Sequence, residues 1–95
     1  MLHLIQKTPF TTSALKDCLS MANPEDEILL MQDGVYAVML DTIPPDTVVY
    51  ALDEDLASRG LQNPNDWVSK ASIKVINMST FVDLTTRHNH TLSWY

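Results

Sequence analysis

The segment Val49-Tyr50-Ala51-Leu52-Asp53-Glu54-Asp55-Leu56-Ala57-Ser58-Arg59-Gly60-Leu61 passes from strand to helix to stop with no residue to spare. Val48, Val49 and Tyr50 favour a strand, because branched and aromatic side chains fit a pleated surface. Asp53 is expected to cap a helix by accepting from a backbone N–H one turn on, while Glu54 and Asp55 suit the positive end of its dipole. Arg59 suits the negative end, and Gly60 can adopt the left-handed conformation that closes a helix. A strand that runs straight into a helix is half of a strand–helix–strand unit. Such units build parallel sheets with helices packed on their faces.

The rest of the chain follows the same alternation. Leu2–Ile5 reads as a first strand. Pro9 breaks it, and Thr12 or Ser13 can cap a helix through about Met21. Ala14, Leu15, Cys18, Leu19 and Ala22 share one face of that helix, with Lys16, Asp17 and Ser20 on the other. Ile28–Met31 is a continuous apolar run, as in a strand covered on both sides. Asp33-Gly34 is expected to turn the chain into a short helix over Val35–Leu40, and Pro44-Pro45 to send it back toward a strand at Thr47–Leu52. Gln62–Ser72 reads as a surface loop holding Trp67 against the body. Ile73–Ile76 is a fourth strand, Ser79 can cap a helix carrying Phe81, Val82, Leu84 and Thr85, and Thr91–Trp94 is a last strand. The expected fold is a small single-domain α/β layer over residues 1–95, with a mainly parallel sheet of about five strands flanked by helices.

A chain of 95 residues that is 45% apolar is too hydrophobic for disorder. At this length only about 60–65% of the unfolded surface is buried, so the remaining apolar surface is expected to meet partner subunits. The formal charge is −6, with six basic residues scattered singly. That balance disfavours direct binding to nucleic acid or to an anionic membrane. A single cysteine excludes an internal disulfide and a cysteine-rich zinc site. The opening MLHLIQKTPF lacks a secretory pattern, and no apolar run approaches a membrane span of about 20 residues. The expected compartment is the cytoplasm.

Candidate chemistry is sparse. Cys18 is the one possible sulfur nucleophile, but a working thiolate needs a helix amino end or a cationic neighbour. Cys18 falls late in its helix, on the apolar stripe and beside Asp17, which suits packing. His3, His88 and His90 lack cysteine or carboxylate partners at metal-ligand spacing. His3 suits a core or interface position better than a general base. Helix capping accounts for Asp53, Glu54 and Asp55 without acid–base catalysis, and Asp26 with Asp33 is no stronger a pair. Two glycines, Gly34 and Gly60, cannot build a dinucleotide fingerprint or a P-loop. No catalytic, cofactor or metal residue is assigned on these grounds, with Cys18 kept as the weak catalytic candidate.

Four stretches together resemble the TusB/DsrH family. They are Met1-Leu2-His3 with Lys7-Thr8-Pro9-Phe10; Leu29-Leu30-Met31-Gln32-Asp33-Gly34-Val35-Tyr36-Ala37; VYALDEDLASRGL; and Phe81-Val82-Asp83-Leu84-Thr85 with His88 and Leu92-Ser93-Trp94. The resemblance implies a DsrEFH-like fold and a heterohexamer with TusC-like and TusD-like subunits. In that family the complex relays persulfide sulfur, through a TusE-like acceptor, toward 2-thiolation of the tRNA wobble uridine. The working cysteine lies in the TusD-like subunit, and the TusB-like chain is architectural. Cys18 also matches the first-helix cysteine of DsrH-like members from sulfur oxidisers. A DsrH-type subunit of a DsrEFH complex in dissimilatory sulfur oxidation, an independent Cys18 persulfide sulfurtransferase and a stand-alone α/β binding module are the alternatives. Small size and high apolar content lead to one expectation: expressed alone the chain self-associates, and co-expression with its partners restores a defined particle. Light scattering tests this, and a monodisperse monomer with a sharp melting transition would contradict it.

Overall fold

Residues 1–94 are described by a computed structural model in which five short strands alternate with helices. Strand β1 spans Leu2–Ile5, helix α1 Ala14–Met21 and strand β2 Glu27–Leu30. A 3-10 helix over Gln32–Met39 leads to β3, Val48–Leu52, which continues directly into α2, Asp53–Ser58. A 3-10 turn at Pro64–Asp66 precedes β4, Ile73–Ile76; α3 covers Met78–Arg87 and β5 Thr91–Trp94. The sheet order is β4-β3-β2-β1-β5 and every pairing is parallel. The expected α/β architecture is therefore present.

Side chains alternate across the sheet, so each strand feeds two cores. On one face Ile5, Ile28, Leu30, Val49 and Ala51 pack with Leu15 and Cys18 of α1, Val35 and Val38 of the 3-10 helix and Leu56 of α2. On the other, Leu2, Leu4, Leu29 and Tyr50 pack with Leu84 of α3, with Phe81 beside them. The chain steps from β1 to β4 under the first layer, then crosses back through α3 on the other face to place β5 on the far side of β1. Each fully buried Leu, Ile or Val side chain contributes about 1.5–3 kcal/mol, so the first face carries most of the burial energy. The central strands β1 and β2 are buried almost throughout, whereas β4 and β5 at the edges are half-exposed.

Two glycines are required for different reasons. A Cβ on Gly34 would lie 1.9 Å from the Ile5 carbonyl oxygen, so only glycine lets the 3-10 helix sit on the end of β1. Gly60 has φ +70 with open space around it, and its need is conformational. The Leu61 N–H donates to the Leu56 carbonyl at 2.8 Å and the Gly60 N–H to that of Ala57 at 3.2 Å. That is a Schellman closure of α2, and it brings Leu56 and Leu61 together in the core.

Several local expectations are corrected. Leu52, still extended and buried, occupies the N-cap of α2 and offers no side-chain acceptor. Asp53 is thus the first helical residue, and its carboxylate accepts the adjacent Glu54 N–H at 2.7 Å. The cap of α3 is Asn77, which accepts from the Thr80 N–H at 2.9 Å, so Ser79 lies inside the helix. Of the two candidate caps of α1, Ser13 holds the N-cap position without a side-chain cap bond, its hydroxyl donating to Asp17 at 2.9 Å, while Thr12 Oγ1 accepts the Ala14 N–H at 3.4 Å. The helix expected over Val35–Leu40 is 3-10 and starts at Gln32, so Asp33-Gly34 forms its first turn. Gln32 itself has φ 50, and its N–H donates to Asp55 Oδ2 at 2.6 Å. The loop around Trp67 is held by the indole N–H, which donates to the Leu61 carbonyl at 2.7 Å.

Gly34→Ala is expected to cost about 3 kcal/mol or more, beyond ordinary overpacking, because the obstacle is backbone. Gly60→Ala is expected to cost about 1 kcal/mol, the left-handed penalty alone. Urea midpoints of the two variants check the order; equal losses would contradict it.

Candidate functional site

Two consecutive carboxylates, Asp26 and Glu27, stand where the chain enters β2. Adjacent residues of a strand face opposite sides, and each carboxylate organises one face of the sheet. Asp26 is buried and accepts the Met1 ammonium at 3.1 Å, the Asn23 N–H at 3.0 Å and His3 Nε2 at 2.9 Å. His3, also buried, accepts the Trp94 indole N–H on Nδ1 at 3.0 Å. Indole can only donate, so Nδ1 carries the lone pair and Nε2 the hydrogen that goes to Asp26. The His3 hydrogen bond is the main reason that the Asp26 carboxyl is held down at about 2; burial opposes it, and Asn23 and the Met1 ammonium reinforce it.

Glu27 serves the α3 face. It accepts Tyr50 Oη at 3.1 Å, Arg87 at 3.0 Å and His88 Nε2 at 2.6 Å. Burial works to raise its pKa, but hydrogen bonds from His88 and Tyr50 and the charge of Arg87 outweigh that. The carboxyl is held below the ordinary glutamate range. His88, the C-cap of α3, is thereby tied to β2 and β3. Both carboxylate clusters are fully partnered and lie at the amino edge of the sheet.

At the carboxyl edge, Arg59 bridges Asp33 at 3.0 Å and Asp55 at 3.7 Å, joining α2 to the 3-10 helix. Asp26 and Asp33 therefore lie at opposite ends of β2 and form no pair. Asp53, Glu54 and Asp55 share the α2 amino end with no histidine among their hydrogen-bond partners. His90 is exposed just ahead of β5. Among the described residues, no group of three or more His, Cys, Asp or Glu side chains is placed to hold a metal ion, and no helix is long and apolar enough to cross a membrane.

Cys18 is 0% exposed, packed among Leu15, Ile28 and their neighbours. Burial, with a smaller contribution from the Asp26 charge, pushes its thiol up to about 12. A groove of about 650 Å³ runs between the Pro9–Ser13 loop, Lys16 and Leu19 of α1, and Leu40. A smaller one of about 230 Å³ lies beside Asn23, Asp26 and Asp46. Cys18 lines neither.

The family described as DsrH like protein matches this chain over residues 7–91. The chain belongs to the TusB/DsrH family. It is 31% identical over 100 residues to Protein TusB of Buchnera aphidicola subsp. Baizongia pistaciae, spanning 99% of this chain and 100% of that one. It is 36% identical over 102 residues to Protein TusB of Escherichia coli (strain K12 / DH10B), with the same coverage. The solution NMR structure of Protein Tm0979 from Thermotoga maritima superimposes with a TM-score of 0.68 at 27% identity, covering 93% of this chain and 94% of that one. Membership links the chain to sulfur relay. In this TusB/DsrH chain, residue-by-residue reading missed the Asp26–His3–Trp94 and Glu27–Tyr50–His88 clusters. Their signal was two adjacent acids opening an otherwise apolar strand, with a histidine inside the first strand.

Asp26 contributes a pH dependence of defined sign. Its folded-state pKa of about 2 lies below the ordinary 3.8, so its stabilisation is complete above that ordinary value and is lost as pH falls toward 2. The size is about 2 kcal/mol. Acid unfolding of Asp26→Asn is expected to lack this component, and an unchanged acid limb relative to the parent would contradict it.

Proposed function

We propose that this chain is a non-catalytic, architectural subunit of a TusBCD-like heterohexamer that relays persulfide sulfur for 2-thiolation of the tRNA wobble uridine. Its partners in this reading are TusC-like and TusD-like subunits, with a TusE-like protein taking sulfur from the complex in the cytoplasm. The observation that carries the proposal is the state of Cys18. A sulfur carrier must meet its donor and its acceptor, and it attacks as the thiolate. Cys18 is fully buried with a thiol pKa of about 12. At neutral pH such a thiol stays protonated.

The satisfied polar clusters support the same reading. Asp26 and Glu27 are each surrounded by donors, which ties elements together and leaves no poised acid or base. The relatives bearing the name Protein TusB support the tRNA branch over a DsrH-type role in sulfur oxidation.

Cys18→Ala is expected to leave wobble-uridine thiolation nearly intact in a deletion strain complemented with the variant. It should cost about 1 kcal/mol of stability, as a small core truncation. Nucleoside mass analysis reads the first and thermal unfolding the second. Loss of thiolation from a fully assembled complex would make Cys18 a carrier and overturn the proposal.

A further inference from the structure

His3 occupies an unusual electrostatic position. Its Nε2–H is committed to a buried carboxylate, and its Nδ1 lone pair is committed to the indole N–H of Trp94. A neutral imidazole satisfies both, with one donor and one acceptor. An imidazolium has two donors and no acceptor, so it can keep Asp26 but cannot keep Trp94. Trp94 supplies the one side-chain hydrogen bond that β5 makes among the described residues. Beyond that bond, β5 is an edge strand paired on one side only, to β1.

We propose that His3 is a proton-operated latch on β5: adding a proton to Nδ1 breaks the hydrogen bond from Trp94 and loosens the end of the strand. In the protonated state the Nδ1–H points at the indole N–H, with the rings 6.0 Å apart and tilted by 41°. The Asp26 carboxylate remains paired to Nε2–H. The link from β1 to the turn before β2 is thereby kept while the side-chain link from His3 to Trp94 is lost and the backbone pairing of β1 with β5 remains. The opening is directional, affecting the edge strand and sparing the centre of the sheet.

The groups around His3 can be named from each packed element. Asp26 faces it from the turn before β2, with the Met1 ammonium behind that carboxylate. Trp94 faces it from β5. Cys18 on α1 has Asp26 as its charged neighbour and stays a neutral thiol. Glu27, Arg87 and His88 cluster around Tyr50 on the opposite face. The Asp26 carboxyl is held down at about 2, chiefly by the His3 hydrogen bond, so it stays charged in milder acid.

The test is a pH titration of the ¹⁵N-labelled chain, co-purified with its partners where they are needed for solubility. The His3 ring nitrogens, the Trp94 indole N–H and the β5 amides are followed together, and Trp67→Phe assigns the two indole signals. The expected result has three parts. The His3 proton sits on Nε2 at neutral pH, and the Trp94 indole signal shifts with the same midpoint as the His3 imidazole. Protection of the β5 amides from exchange then falls about tenfold, the equivalent of one hydrogen bond. His3→Asn supplies a non-titrating acceptor and is expected to leave the Trp94 signal flat across the same range. A proton on Nδ1 at neutral pH would overturn the proposal. So would an indole signal that stays constant while His3 titrates, or a His3 that does not titrate before the whole chain unfolds.

Discussion

The Asp26–Glu27 pair at the entrance to β2 is the interaction on which the rest of the structure depends. β2 is a central, apolar strand, and its backbone alternation sends the two carboxylates to opposite faces. Asp26 draws in the amino terminus, the α1–β2 turn and β1 through His3, and reaches β5 through Trp94. Glu27 draws in β3 through Tyr50 and the end of α3 through His88 and Arg87. A buried carboxylate is costly unless its oxygens are occupied by donors. Each cluster therefore holds only when the elements that supply those donors are in place. Much of the polar non-local bonding in this small sheet converges on two adjacent residues.

The carboxyl edge is built differently. There the constraint is steric, with the 3-10 helix pressed onto the Ile5 carbonyl and Gly34 as the residue that permits it. Met31 donates its N–H to that same carbonyl at 3.0 Å, so the close approach is also a hydrogen bond. Gln32 accepts a left-handed backbone in return, stabilised by the carboxylate of Asp55. Arg59 then clamps α2 to the turn through Asp33 and Asp55. In open parallel sheets ligands usually bind beyond the carboxyl edge. In this chain the part of that edge beyond β2 and β3 is filled by its own packing and ion pairs, while a groove opens beside the Pro9–Ser13 loop that follows β1.

The family's association with sulfur makes the burial of Cys18 consequential. On α1 it faces the sheet with Leu15, and its sulfur fills core volume as a small hydrophobe would. The same burial that makes it a good packing residue suppresses its thiolate. A chain that has to expose a sulfur carrier would place it on a loop or at a helix amino end, and α1 does neither for Cys18.

Much of the fold was legible because periodicity and punctuation are local. The apolar runs marked all five strands to within a residue or so, the 3.6-residue pattern marked α1, and Gly60 marked the end of α2 through a left-handed turn that it does adopt. The caps were legible only in part. Asp53 and Ser79 have the right chemistry, but Leu52 and Asn77 hold the cap positions, because packing sets where a strand hands over to a helix. Sequence by itself determined the parallel α/β alternation and the apolar setting of Cys18, since both follow from the order of neighbouring side chains. Only the tertiary structure decided that His3 lies between Asp26 and Trp94, and that Glu27 gathers Tyr50, Arg87 and His88. Those partners are 23 to 91 residues apart along the chain, and only the sheet order that sets β5 beside β1, with α3 on the opposite face, brings them within hydrogen-bond reach.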